Sequence, residues 1–114
     1  LRGCVACYGC FQNKDQRCAV DKDAMNEHIE KMVEADGIIL GSPTYFANVS
    51  TEIKALIDRA GLVAKANDDL FKRKVGAAVG AGRRGGGGGG RLHTFSATAS
   101  ILRWEPIAFH THSP

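Results

Sequence analysis

The four cysteines of this chain are the residues whose type and spacing could most clearly do chemistry. They form one short pattern, C-x2-C-x2-C-x7-C, made by Cys4, Cys7, Cys10 and Cys18. Disulfides between cysteines so close in sequence are geometrically awkward, and a reducing cytosol would not keep them, so the pattern favours thiolate ligation of a metal. Zinc usually takes cysteines as two separated pairs, whereas three closely spaced cysteines and a more distant fourth are typical of iron–sulfur clusters. We therefore predict a cluster here, with zinc or unliganded thiols as the alternatives.

Small residues separate the cysteines. Gly3, Ala6 and Gly9 would let the backbone wrap tightly and point its amide groups at sulfur. A simple ferredoxin has proline directly after its last cysteine, whereas Ala19 stands there in this chain and the final gap is longer. The pattern thus indicates a cluster protein other than a simple ferredoxin.

Residues 36–59 must position a second site, because a strand, a polar loop and an amphipathic helix follow one another there. The apolar run 38–40 predicts a strand buried on both faces, which residues 41–43 end. Ser50 or Thr51 can cap the helix, and Gly61 is predicted to end it. Its buried face is predicted to hold Ile53, Leu56, Ile57 and Ala60. Ligands of open parallel sheets bind at the carboxyl ends of strands, so the loop 42–49 lies where a site would be.

Two less prominent elements flank this unit. Asp21 or Asp23 can cap a helix that runs to about Ala35. Its apolar face is predicted to hold Met25, Ile29, Met32 and Val33. A narrow second strand is predicted over residues 74–79, where small side chains would let a helix or a ligand come close.

The C-terminal third has weaker patterns. Residues 80–84 and the six glycines after them could present N–H groups to phosphate or to a flat ring edge, but flexible low-complexity sequence explains them equally well. Beyond them, a helix over residues 92–103 and a strand over residues 107–109 are predicted from poor periodicity. The histidines are predicted to be solvated rather than metal ligands: His28, His93, His110 and His112.

The bulk composition indicates one domain. The chain has 114 residues, begins with Leu1 and contains neither a leader-like segment nor an apolar run of bilayer length. We therefore expect a soluble, cytoplasmic protein with no membrane partner. Residues 1–64 hold seven Lys/Arg and nine Asp/Glu, whereas residues 65–91 hold seven and two. The basic part could meet an anion or nucleic acid, or be a solvated loop.

Three features together resemble the iron-sulfur flavoprotein branch of the NAD(P)H-dependent FMN reductase family. They are the cysteine box CVACYGC…C, the segment ADGIILGSPTYFANVSTEIKALIDRAG and the segment VGAAVGAGRRGGG, and they span residues 3–87. The resemblance implies a flavodoxin-like, three-layer α/β fold with a five-stranded parallel sheet. It also implies noncovalent FMN at the strand ends, a 4Fe-4S cluster held by the cysteines, and a homo-oligomer, either dimer or tetramer. The electron donor would be NAD(P)H or a ferredoxin-like partner.

The resemblance also assigns residues to the flavin. The loop that borders the isoalloxazine ring would comprise Pro43, Thr44, Tyr45, Phe46, Asn48 and Val49. A second loop near the flavin would comprise Arg83, Arg84 and Gly85. Against this assignment, an aromatic pair beside a strand end is ordinary core material in many α/β domains.

Two departures from the family pattern lead us to expect a partial chain. The family begins with a strand and a phosphate-binding loop, and this first βαβ unit is absent here, which predicts exposed sheet edges and poor FMN affinity. Residues 88–114 follow the family pattern poorly, so we divide the chain into a partial flavodoxin-like domain, 1–87, and a divergent segment, 88–114. The expected function is a flavin-dependent, electron-transferring oxidoreductase. The alternative is a zinc-stabilised module whose Arg/Gly-rich loop contacts RNA.

Overall fold

The computed structural model describes residues 1–83 and 88–112, with the backbone alone at residues 88–92 and 106–112. Within these ranges the chain forms four helices and three strands. In chain order they are α1 (Gly9–Asn13), α2 (Met25–Glu34), β1 (Gly37–Pro43), α3 (Thr51–Ala66), β2 (Val75–Ala81), α4 (Gly88–Ile101) and β3 (Glu105–His112). No helix in the described part of the chain is long and apolar enough to cross a membrane.

The three strands form one parallel sheet in the order β1-β2-β3. Their spatial order follows their sequence order. Because connections between parallel strands are almost always right-handed, this order predicts that α3 and α4 lie on the same face of the sheet. The α/β class and the parallel sheet predicted from the sequence are confirmed. Within the described residues β1 and β3 each pair on one side only, and the helices cover one face.

Burial along β1 corrects one prediction. Ile38 and Leu40 are buried, but Ile39 between them is 73% exposed, so the strand is not buried on both faces. β2 alternates in register with β1, and Val75 and Val79 are exposed on the same face as Ile39. A continuous apolar run indicates a strand that could be buried on both faces. Whether a second layer of structure covers the other face depends on the tertiary fold, which the run itself does not determine.

The core lies between the covered face of the sheet and the helices. Phe71, Met25, Ile29 and Val63 are completely buried there. Trp104, just before β3, packs against Gly76 of β2, so the small side chains of this strand admit a close neighbour, although it is neither the predicted helix nor the predicted ligand. The short side chain at position 76 therefore sets how closely the segment before β3 approaches the sheet.

The predicted starts of the helices agree with the structure better than the predicted ends do. The Ser50 hydroxyl accepts a hydrogen bond from Ile53 N–H at 3.5 Å, which confirms it as the cap of α3. The predicted end at Gly61 is wrong, because the helix continues to Ala66. One glycine costs a helix only about 1 kcal/mol, and the good helix formers after it extend the helix. Asp23 lies just before α2, where its carboxylate accepts from Met25 N–H at 3.2 Å.

The C-terminal elements occur close to their predicted positions but with different bounds. The helix predicted over residues 92–103 spans Gly88–Ile101 and so begins within the glycine run. The strand predicted over 107–109 is longer, Glu105–His112, and pairs with β2 along its length. His28 and His93 are exposed as predicted, while the side chains of His110 and His112 lie outside the described part.

Candidate functional site

The four cysteines line one pocket on the surface of the protein. Cys4 and Cys7 are exposed, Cys18 is half-buried and Cys10 is buried. Burial raises the pKa of the Cys10 thiol, so its thiolate needs a positive partner such as a metal to form readily. The structure therefore places all four cysteines around one pocket, where they are predicted to act as ligands.

The backbone around the first three cysteines is tightly wound. Ala6 and Tyr8 have φ angles of 53° and 55°, a left-handed conformation that is uncommon for residues other than glycine. The N–H of Ala6 donates to the Cys4 sulfur at 3.4 Å, as expected if small spacers let amide groups point at sulfur. A Cβ added at Gly9 would lie 2.4 Å from the Ala19 Cβ, so this glycine is needed for the close approach of the segment beyond Cys18.

Cys18 is fixed by contacts from two helices. Asn26 of α2 accepts from the Cys18 N–H at 2.7 Å and donates to the Cys18 carbonyl at 2.9 Å. Arg59 of α3, only 2% exposed, donates from Nε to the Cys18 sulfur at 3.3 Å. The backbone and the sulfur of Cys18 are therefore held by different side chains.

Arg59 binds three further segments of the cysteine region. Its guanidinium donates to the Arg2 carbonyl at 3.1 Å, to the Val20 carbonyl at 2.5 Å and to the Asp23 carboxylate at 2.5 Å. Burial works against the guanidinium charge, yet the hydrogen bonds to Asp23 and Cys18 raise the pKa of Arg59. The hydrogen bond from Arg59 also lowers the pKa of Asp23 far below its ordinary value. Both groups are therefore charged at neutral pH.

Sequence reasoning missed Arg59, Asn26 and this role of Asp23. A signal for Arg59 exists in the helix periodicity, because Ala55, four residues before it, and Val63, four residues after it, are both buried. A charged residue between two apolar residues on one helix face must find partners inside the protein. Those partners lie 36 to 57 residues away in sequence, and their identity could not be read from local spacing.

The chemistry of the donor set fits a thiolate-bound metal centre. Four thiols surround one pocket, and an N–H and a guanidinium donate to two of the sulfurs. Thiolates of this kind bind iron–sulfur clusters as well as zinc. Among the described side chains, no group of three or more His, Cys, Asp or Glu is already arranged to hold a metal ion.

The second candidate site is the loop between β1 and α3. The Ser42 hydroxyl, buried at the end of β1, accepts from Ser50 N–H at 2.8 Å and so ties the two ends of the loop together. The Thr44 N–H donates to the Ala81 carbonyl at 2.7 Å, which fixes the start of this loop beside the end of β2. The predicted residues Pro43 to Val49 therefore lie at the carboxyl edge of the sheet.

The two aromatic residues of this loop do not belong to the core. Tyr45 is 82% exposed and Phe46 is 93% exposed. Asn48 N–H donates to the Phe46 carbonyl at 2.7 Å across Ala47, whose φ of 59° closes a tight turn. The core interpretation of the pair is therefore wrong in the described structure, and large apolar surface is held at the strand end.

Asn48 connects the loop to the helix that follows β2. Its Oδ1 accepts from Val49 N–H at 2.8 Å and from the Thr94 hydroxyl of α4 at 2.9 Å. These two hydrogen bonds fix the orientation of the Asn48 amide, with its oxygen as the acceptor of both. Val49 is half-buried and packs against the core, so it anchors the far end of the loop.

The predicted second loop is described only in part. Arg83 is exposed, two residues beyond the end of β2. Arg84 and Gly85 lie outside the described residues. Because Pro43 and Ala81 are register partners, the two loops begin side by side at the same edge of the sheet.

The parallel sheet, its helical crossovers and the polar loop at its strand ends define an α/β protein of the flavodoxin-like class. The chain belongs to the NADPH-dependent FMN reductase family, whose sequence profile matches residues 5–108. This match continues beyond residue 87, where the recognisable motifs end, through α4 and into β3.

Several curated relatives are named iron-sulfur flavoproteins, which confirms the family resemblance. One from Methanosarcina thermophila is 46% identical over 79 residues, 69% of this chain and 39% of that protein. One from Methanocaldococcus jannaschii is 40% identical over 106 residues, 90% of this chain and 52% of that protein. One from Archaeoglobus fulgidus is 38% identical over 79 residues, 69% of this chain and 39% of that protein. The chain thus spans between 39% and 52% of the length of these relatives.

Proposed function

We propose that this chain is part of a flavin-dependent oxidoreductase that transfers electrons between FMN and a cysteine-bound 4Fe-4S cluster. The observation that carries the proposal is the pocket lined by all four cysteines, at which Ala6 N–H and Arg59 Nε donate to sulfur. Such donors are the groups by which proteins stabilise thiolate-bound clusters and adjust their potentials. The names of the relatives point the same way.

The cluster would be held by Cys4, Cys7, Cys10 and Cys18, and when bound it supplies one-electron chemistry. The protein keeps Cys10 away from water and leaves Cys4 and Cys7 at the surface. This arrangement gives the site one protected side and one side open to an electron-transfer partner.

FMN would lie against the loop of residues 43–49, and when bound it supplies the step between two-electron and one-electron chemistry. Tyr45 and Phe46 would cover a face of the ring and limit its contact with water. The Asn48 oxygen already has two donors, so this side chain would meet the ring with its Nδ2, a donor suited to the acceptor atoms of the pyrimidine edge. Arg83, with Arg84 and Gly85, would approach from the neighbouring loop.

The proposal also covers the electron donor, the oligomeric state and the cellular location of the protein. All three rest on the family resemblance. NAD(P)H is the proposed electron donor because the family is described by NADPH-dependent FMN reduction. A ferredoxin-like protein is the other candidate donor. We propose a cytoplasmic homo-oligomer, a dimer or tetramer, in which cluster and flavin approach one another near a subunit interface.

Anaerobic reconstitution with iron and sulfide tests the cluster. The chain should become brown and hold about four iron and four acid-labile sulfide, as four thiolates imply. A colourless protein with one zinc per chain would contradict the proposal. A Cys18→Ser variant should lose iron, and unchanged iron content in that variant would remove Cys18 from the ligand set. FMN binding is measured separately by quenching of flavin fluorescence, so failure of either cofactor is seen independently.

A further inference from the structure

Arg59 is among the least exposed large side chains of the protein, at 2%, although it carries a charge. Burying a guanidinium is costly unless its donors are all used. Three of its contacts, with the Arg2 and Val20 carbonyls and with Asp23, would suffice to secure a structural arginine. The fourth is different, because Nε is directed at the Cys18 sulfur at 3.3 Å.

Cys18 needs such a contact more than the other cysteines do. Cys4, Cys7 and Cys10 are joined by two-residue spacers and one short helix, so each restricts the next. Cys18 follows after seven residues, in a segment that includes Gln16 with a positive φ of 63°. Asn26 holds its backbone, and Arg59 holds its sulfur.

We propose that Arg59 is a positioning residue for the cluster, which directs the Cys18 sulfur into the ligand set and raises the midpoint potential of the bound cluster. This inference rests on the proposed function, since it requires a cluster at the cysteines. It adds a residue of α3, the helix after the proposed flavin loop, to a site whose proposed ligands all lie within the first 18 residues.

The effect on potential follows from charge. One-electron reduction adds one negative charge to the site, and it makes or breaks no bond and needs no proton. A fixed cation and an N–H donor at a ligating sulfur stabilise the reduced form more than the oxidised form. Burial limits screening by water, so a charge at hydrogen-bond distance acts strongly.

Helix α3 also connects the two proposed sites, because it carries Arg59 and directly follows the proposed flavin loop. The same helix is capped by Ser50, whose N–H donates to the Ser42 hydroxyl at the proposed flavin loop, and it carries Arg59 about two turns later. The loop and the Cys18 sulfur are thus attached to one rigid element. Their separation is fixed by the helix rather than by a flexible connection.

The test compares wild type with Arg59→Gln, Arg59→Lys and Lys54→Gln after anaerobic reconstitution. Iron, sulfide and the midpoint potential are measured by redox titration with dithionite as the reductant. Arg59→Gln should make the potential more negative, with the ratio of reduced to oxidised cluster roughly tenfold lower at a fixed potential, which is about 59 mV for one electron. Arg59→Lys keeps a charge without the Nε–H and should shift less.

Lys54→Gln is the matched control, because it also removes one charge from α3, at an exposed position where the side chain pairs with Asp58 rather than with a cysteine. It should leave the potential of the loaded protein unchanged. An unchanged potential in Arg59→Gln, or an equal shift in Lys54→Gln, would overturn the inference. If Arg59→Gln loads no cluster, Arg59→Lys decides, and a wild-type potential there would overturn it as well. Wild type that binds no iron would instead refute the proposed function, and the iron assay alone reveals that outcome.

Discussion

Gly76 of β2 lies against the indole of Trp104 so closely that a Cβ at position 76 would be 2.4 Å from Trp104 Cε3. The added Cβ would also lie 3.0 Å from the indole carbon Cδ2 and 3.3 Å from Trp104 Cβ. Trp104 is only 7% exposed, so the indole has little room to withdraw. This contact joins the central strand of the described sheet to the segment that leads into β3.

A Gly76→Ala variant should therefore be less stable than wild type. Overpacking of a filled core costs about 1–3 kcal/mol, because the indole or the strand must shift. Urea denaturation followed by tryptophan fluorescence measures this change. Gly41→Ala on β1 is the matched control, since the nearest atom to its added Cβ, the Val79 carbonyl oxygen, is 3.9 Å away. Equal stability of the two variants would mean that the sheet adjusts freely at position 76.

Gly9→Ala should weaken the cysteine site without touching a cysteine. The added methyl group would meet the Ala19 Cβ at 2.4 Å and force Cys10 and Cys18 apart. Displacing the support of a metal ligand commonly weakens metal retention by 10-fold or more, so we expect about tenfold faster loss of iron to a chelator. Gly3→Ala is the control, because no atom lies within 4 Å of its added Cβ. Equal iron loss from the two variants would contradict the proposed close packing.

Ser42→Ala should destabilise the proposed flavin loop. The substitution leaves the buried Ser50 N–H without its acceptor at 2.8 Å, and an unsatisfied buried donor costs about 1–3 kcal/mol. We expect a lower melting temperature and weaker FMN binding by fluorescence quenching. Ser96→Ala, at an exposed position of α4, is the control and should change neither quantity. Full FMN affinity in Ser42→Ala would separate the loop from flavin binding.

Acid should weaken the attachment of the cysteine region through Asp23. The hydrogen bond from Arg59 makes the pKa of this carboxyl lower in the folded than in the unfolded protein. Its contribution to stability is therefore complete above the unfolded pKa, about 4, and is lost as the pH falls toward the folded value. Asp23→Asn should be less stable than wild type at pH 7 and should show a smaller further loss between pH 5 and pH 2. Parallel pH profiles for the two proteins would contradict this assignment.

These residues also indicate how far sequence reasoning reaches. The Ser50 cap and the apolar face of α2 could be predicted, because each depends on neighbours within four residues. The exposure of Ile39 could not, because it depends on whether another layer covers the sheet. The cysteine pattern predicted a site, but the position of Arg59 beside it depends on contacts across 41 residues or more to Cys18 and Arg2. The positions of Ala55 and Val63, one helical turn before and after Arg59, could have indicated that Arg59 is buried, but they do not identify its partners.

Tyr45→Ser and Phe46→Ser should separate flavin binding from stability. Both side chains are largely exposed, at 82% and 93%, so each substitution should change the free energy of unfolding by less than about 0.5 kcal/mol. If the pair covers the ring, each loss should weaken FMN binding by about 0.5–1.5 kcal/mol, roughly two- to tenfold in Kd. Ile101→Ser removes a 59% exposed apolar residue at the far end of α4 and is the matched control. A loss of stability without a loss of FMN affinity would place the aromatic pair in a structural role and remove the loop from the proposed flavin site.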